Sequence, residues 1–288
     1  MARRAKVMSA KQHYLVFDLE SCFNCNNCRM ACMDEHVGND WSPITEPMPR
    51  HHAEWINLEQ KVRGQAARSE GEIKAARIDA CYLVKPCQHC ENAACMKAFP
   101  DQVVRREDGI VLIDFEKARG NKDLVKACPF GAISWNEELD VAQKCTMCAH
   151  ILDSGEAPGM PRCSHSCPTE SCQHFYLTEE EMEAKIKEEE LSELRPELNA
   201  KPHVFYKNLY RYTKNFITGA LLKDNDVVIG ASVTCEGEGM KETQVTDYFG
   251  EFKFDKLEPG TYTLSMDGKT LKEVTIKESI NIGEIVID

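Results

Sequence analysis

Residues 18–32 read Asp18-Leu-Glu-Ser-Cys22-Phe-Asn-Cys25-Asn-Asn-Cys28-Arg-Met-Ala-Cys32, directly after an apolar stretch, Tyr14 to Phe17, that predicts a strand. A tight loop with cysteines three apart can wrap three corners of a cubane. The fourth cysteine, one helical turn on, points away toward a neighbour. This is the spacing of paired [4Fe–4S] clusters, in which three thiolates bind one cluster and the fourth ligates the next. Zinc also uses C-x2-C pairs, but four cysteines at this spacing favour the cluster.

Outward from this stretch the chain repeats itself. Laying Cys32 on Cys128, a shift of 96 residues, puts Asp18-Leu-Glu20 on Asp114-Phe-Glu116. Cys22, Cys25 and Cys28 then fall on Ala118, Asn121 and Leu124. Two further motifs pair in the same way: Cys87-x2-Cys90-x4-Cys95-x3-Phe99-Pro100 with Cys145-x2-Cys148-x14-Cys163-x3-Cys167-Pro168. Phe99 stands where the second of these has Cys167.

By analogy with two-cluster ferredoxins, motifs one and four exchange their last cysteines, as do motifs two and three. Cluster A then takes Cys22, Cys25, Cys28 and Cys167. Cluster B takes Cys145, Cys148, Cys163 and Cys32, and cluster C takes Cys87, Cys90, Cys95 and Cys128. A fourth site would need Phe99, Ala118, Asn121 and Leu124, none of which is a ligand. Losing one whole site together supports this exchange. Crossing one with three and two with four instead would scatter the losses over incomplete sites. The expectation is three [4Fe–4S] clusters on twelve cysteines.

The chain has 288 residues, with 35 Lys and Arg against 47 Asp and Glu, for a net charge of −12. That balance disfavours nucleic acid and anionic membrane surfaces as partners. No apolar run approaches the roughly 18 residues that span a bilayer. The twin arginine, Arg3-Arg4, leads into Ser9-Ala-Lys-Gln-His rather than an apolar stretch, so it reads as a basic tail. Cytoplasmic residence is expected, with export on a signal-bearing partner left open. All but one of the fifteen cysteines lie between Cys22 and Cys172, many in C-x2-C pairs, which reads as metal ligation in a reducing compartment rather than disulfides.

Composition divides the chain into residues 1–177, the cysteine-rich part; 178–215, an acidic helix and linker; and 216–288, an all-β module. Thr178 is the expected N-cap of the acidic helix and Pro196 stands near its expected end. In the last part Val228 to Val233, Thr243 to Thr246, Glu251 to Phe254, Thr261 to Met266 and Glu273 to Ile276 read as strands between Gly, Asp and Pro punctuation. Roughly seven short strands predict a small sandwich. Gly230-Ala-Ser-Val, Thr246-Asp-Tyr-Phe-Gly-Glu-Phe and Pro259-Gly-Thr-Tyr-Thr-Leu resemble transthyretin-like modules, which implies a docking or structural role. The fold expectation is α+β: a duplicated bacterial-ferredoxin-like domain with inserts, followed by this β sandwich.

Cys81, Cys172 and Cys235 have no partner at cluster spacing and read as buried thiols. His89 and Lys144 adjoin cluster cysteines and could donate hydrogen bonds or positive charge to a cluster. The insert 37–80 carries Trp41 and Trp55 and is expected to help bind a partner subunit. His36, His51 and His52 read as solvated or interfacial. No nucleophile–base arrangement, phosphate loop or H-E-x-x-H motif occurs, so the chain is not expected to be an enzyme on its own and no catalytic residue is assigned.

Asp108-Gly-Ile-Val-Leu-Ile-Asp114, Cys128-Pro-Phe-Gly-Ala-Ile133 and Gln143-Lys-Cys-Thr-Met-Cys148, set in this four-motif layout, resemble the iron–sulfur subunits of the dimethyl sulfoxide reductase family. The resemblance continues through Lys207-Asn-Leu-Tyr-Arg211 and the β module. It implies an electron-transfer subunit that docks on a large catalytic partner, which carries molybdenum on two pterin guanine dinucleotides. The three-cluster form with an added β module implies a partner acting on hydroxylated aromatic rings, of transhydroxylase or catechol dehydroxylase type. A subunit of another molybdopterin reductase and a structural zinc scaffold are the other readings. The neighbouring reading frame separates the first of these and metal analysis the second.

Overall fold

The computed structural model describes residues 10–51, 53–64 and 79–288. The basic tail, His52 and residues 65–78 of the insert lie outside the described residues. The chain forms two compact units. One runs to Glu59 and resumes over Tyr82–Leu209; the other comprises the described part of Gln60–Cys81 together with Tyr210–Asp288. The cysteine-rich unit therefore extends past residue 177 and takes in the acidic helix.

In the first unit the strand Gln12–Asp18 is the middle of three. It pairs antiparallel with Cys172–Leu177, Phe17 opposite Cys172, and parallel with Val204–Lys207, Leu15 opposite Val204. Tyr14, Leu15, Val16 and Phe17 are all buried, as a strand covered on both faces requires. The two ribbons Val103–Arg105 with Val111–Ile113 and Ser134–Asn136 with Val141–Gln143 complete the repeat. Short helices sit between the strands, among them Asn27–His36, Ala94–Ala98, Asp123–Lys126 and Arg162–His165. A further helix, Glu179–Glu188, starts at a capping box on Thr178 and Glu181 and ends well before Pro196, which instead opens a 3-10 turn, Pro196–Leu198.

Residues 37–59 of the insert belong to this unit, and both of its tryptophans lie among them. Trp55 is 2 % exposed and its ring lies 4.5 Å from that of His36. Asn136 and Gln143 donate to the carbonyl of Pro47, and Gln143 also to that of Glu46. His36 is buried at the end of its helix and is neither solvated nor interfacial.

The second unit is a β sandwich. One sheet joins Asp226–Val227, Asn215–Lys223 and Glu251–Leu257, with Ile280–Val286 parallel to Asn215–Lys223. The other runs Met240–Val245, Ser232–Gly237, Gly260–Met266 and Lys269–Ile276. Ile217, Phe252 and Phe254 from the first sheet share a core with Val233, Tyr262 and Leu264 from the second. The strand expected from Val228 starts only at Ser232, because Gly230 takes φ +73° and turns the chain.

Candidate metal centres

All fifteen cysteines are free thiols, and three groups of four gather in the first unit. Cys22, Cys25, Cys28 and Cys167 line one cavity. Cys87, Cys90, Cys95 and Cys128 line another, with Val111, Ile133 and Lys144. Cys32 lies beside Cys145, Cys148 and Cys163, close enough for each of the three to push its thiol pKa further up. Every one of the twelve cysteines selected by spacing thus sits in a group that crosses between motifs.

The same local device opens each of the three thiol groups, at Cys22, Cys87 and Cys145. The residue two after the first cysteine has a left-handed backbone: Asn24 at φ 61°, His89 at φ 47° and Met147 at φ 54°. Asn and His are among the side chains that tolerate this region best. The turn swings that residue's N–H back onto the sulfur. His89 N donates to Cys87 Sγ at 3.4 Å and Met147 N to Cys145 Sγ at 3.3 Å, and Asn24 N does the same for Cys22. Such N–H···S bonds favour charge on sulfur.

Burial opposes that charge. It pushes Cys28 and Cys145 up to about 12 and Cys95 to about 11, with neighbouring thiols adding to the rise. Four thiolates in one cavity are tolerable only around a strongly cationic core, which an iron–sulfur group supplies. Among the described residues no three Cys, His, Asp or Glu converge to hold a single metal ion; the thiols instead line spaces between them. The residues present therefore fit a multinuclear cluster.

The three groups follow one another. Cys28 of the first is raised by Cys163 of the second, and Cys145 of the second by Cys87 of the third. All four thiols of the middle group are buried, whereas Cys25 is exposed and Cys90 and Cys128 are partly so.

Where the repeat predicts a fourth site, the structure has packed side chains. Ala118 and Leu124 are fully buried in one apolar core with Val103, Val111 and Ile113, against which Phe99 packs. Asn121 donates to Gln102 Oε1 at 2.7 Å. Gly120, at the position equivalent to Asn24, keeps the left-handed turn at φ 77°. Asp114 still caps its turn from Lys117 N, as Asp18 holds Ser21 Oγ.

Sequence reasoning missed two neighbours of the thiol groups. Cys172 is buried, as expected, but lines the first cavity, and its thiol hydrogen-bonds Cys163, holding Cys163 down and Cys172 up. His36 Nε2 lies 3.8 Å from Cys148 Sγ. The parity of strand Cys172–Leu177 is a clue to the first; the second arises from tertiary packing alone.

A family model for a 4Fe–4S dicluster domain matches residues 78–176. The chain is 45 % identical over 281 residues to the pyrogallol hydroxytransferase small subunit of Pelobacter acidigallici, covering 96 % of this chain and 99 % of that one. It is 25 % identical to the iron–sulfur subunit of an arsenate respiratory reductase from Shewanella sp. (strain ANA-3), over 67 % of this chain and 94 % of the relative. A thiosulfate reductase electron transfer subunit of Salmonella typhi is 30 % identical, over 62 % and 84 % of the two chains.

Proposed function

This chain belongs to the family of iron–sulfur small subunits that includes the pyrogallol hydroxytransferase small subunit, and we propose its role from that premise. It carries electrons for a larger molybdopterin partner that acts on hydroxylated aromatic compounds, in a transhydroxylase or catechol dehydroxylase type of complex. The ligand sets are Cys22, Cys25, Cys28 and Cys167 for cluster A; Cys145, Cys148, Cys163 and Cys32 for B; and Cys87, Cys90, Cys95 and Cys128 for C. When bound, each [4Fe–4S] group supplies a one-electron site.

One observation carries this reading: three groups of four thiols, each drawn from two distant motifs and each bordering the next. The protein's own part is to hold the thiols, to aim backbone N–H groups at sulfur and to keep water from the middle group. The order A–B–C follows from these neighbours, with the buried set in the middle. The molybdenum and its two pterin guanine dinucleotides belong to the partner. The second unit is a transthyretin-like module, a reading supported by its two packed sheets and single core, and its role is structural or in docking.

The full-length chain, reconstituted without oxygen, should bind about twelve irons, four per cubane, with matching acid-labile sulfide. Cys128→Ala should lower the count to about eight and remove one paramagnetic signal on reduction. A stoichiometric zinc content without broad visible absorbance rejects the reading in favour of a zinc scaffold.

A further inference from the structure

We propose that the Lys144 ammonium is a positioning charge shared by the second and third thiol groups, raising the reduction potentials of clusters B and C. The inference rests on the ligand sets proposed above. Lys144 is 3 % exposed. Its Nζ donates to the carbonyl of Val111 and, at 3.1 Å, to that of Cys145. The side chain also lines the cavity of Cys87, Cys90, Cys95 and Cys128. Among the described residues no carboxylate lies within ion-pair distance of it.

An ammonium has three donors, and here the two carbonyl partners are neutral. A buried charge without an opposite charge is strongly unfavourable, so the compensating negative charge has to come from the thiolates on either side. The same pairing works in reverse. Reduction brings one electron in from a neighbouring cluster or the partner, makes and breaks no bond, and leaves the cluster more negative. A fixed positive charge in a poorly screened interior favours that added charge.

The neighbouring His89 cannot play this part. Its Nδ1 accepts from Val111 N at 3.0 Å, and burial together with the Lys144 charge keeps the ring neutral. The backbone of Val111 is thus held on both sides, its N–H by His89 and its carbonyl by Lys144, which fixes where the ammonium sits. The Lys144 charge acts on Cys90, Cys95, Cys128 and Cys145. At Cys167, in the first group, hydrogen bonds from Ser171, the Cys172 N–H and Thr169 outweigh burial instead.

The test is a redox titration of the complete complex, followed by electron paramagnetic resonance, with Cys128→Ala identifying the cluster C signal. Lys144→Met and Lys144→Gln remove the charge and Lys144→Arg keeps it. In both neutral variants the equilibrium constant for reducing cluster C should fall at least tenfold, about 59 mV for one electron. Cluster B should fall by less, A should be unmoved, and Arg should restore most of the loss. Unchanged potentials at wild-type iron content overturn the proposal. If both neutral variants release iron from B and C while Arg retains it, the need for charge is upheld by the iron count; if Arg releases it too, the proposal fails. A wild-type complex whose small subunit falls short of about twelve irons would instead sink the ligand sets beneath it.

Discussion

The Arg63 side chain is 1 % exposed and bonds Asp79 and, at 2.9 Å, Asp255 within the second unit. Asp79 also accepts from Arg211. Burial pushes the Asp79 carboxyl up, but Arg211 and Arg63 outweigh it and bring it down to about 2. Because this folded value lies below the ordinary 3.8, the stabilisation is complete above about pH 4 and fades as pH falls through about 2. Asp79→Asn leaves Arg63 with one charged partner and should destabilise the unit by roughly 3 kcal/mol at neutral pH; urea unfolding of the full chain measures it. The loss should shrink as the pH approaches 2, and an equal loss at both pH values would refute the ionic account. At this scale the sequence is legible where chemistry repeats at fixed spacing, as in the twelve cysteines. It is silent on Arg63 and His36, whose partners are brought to them by the fold rather than by neighbours in the chain.

The helix Glu179–Glu188 is readable because its start is local chemistry. Thr178 Oγ1 accepts from Glu181 N at 3.3 Å, and Glu181 Oε2 accepts from Thr178 N at 2.8 Å. Thr178→Ala should cost about 1 kcal/mol, seen as faster amide exchange in the helix's first turn without change at the thiol groups. Its end is not set by Pro196, the only stop the sequence offers. The chain leaves the helix earlier, so that Leu191 can join Met182, Tyr14 and Phe205 in a core. Val204–Lys207 reads as linker for a related reason. Its parallel pairing with Gln12–Asp18 spans nearly the whole first unit, and three apolar or aromatic residues followed by Lys207 carry no period. In the second unit, Asn215–Lys223 is buried at four successive residues, Phe216 to Gly219, and so lacks the alternation that exposes its neighbours.

Across the whole molecule, the repeat locates one position where packed side chains stand in place of ligands. Phe99, Ala118 and Leu124 fill it and Gly120 preserves its turn, a loss visible in the sequence only because the other three copies survive beside it. That the replacement is a continuous apolar core, shared with Val103, Val111 and Ile113, needed the structure. This core bears on biogenesis. The thiol groups beside it depend on iron–sulfur clusters to hold them together, whereas this part is bound by ordinary hydrophobic burial. It can form on a newly made chain before any metal arrives, and hold Cys95 within it and Cys128 against it for a cluster-delivery machinery. With iron stripped by a chelator, amides in 103–113 should stay protected from exchange longer than those in 22–32; equal loss in both segments would count against it. Leu124→Ala, which hollows that nucleus at a cost of about 3 kcal/mol, should abolish the difference. A region without ligands would thereby serve as the foothold from which iron–sulfur clusters are loaded onto the thiols around it.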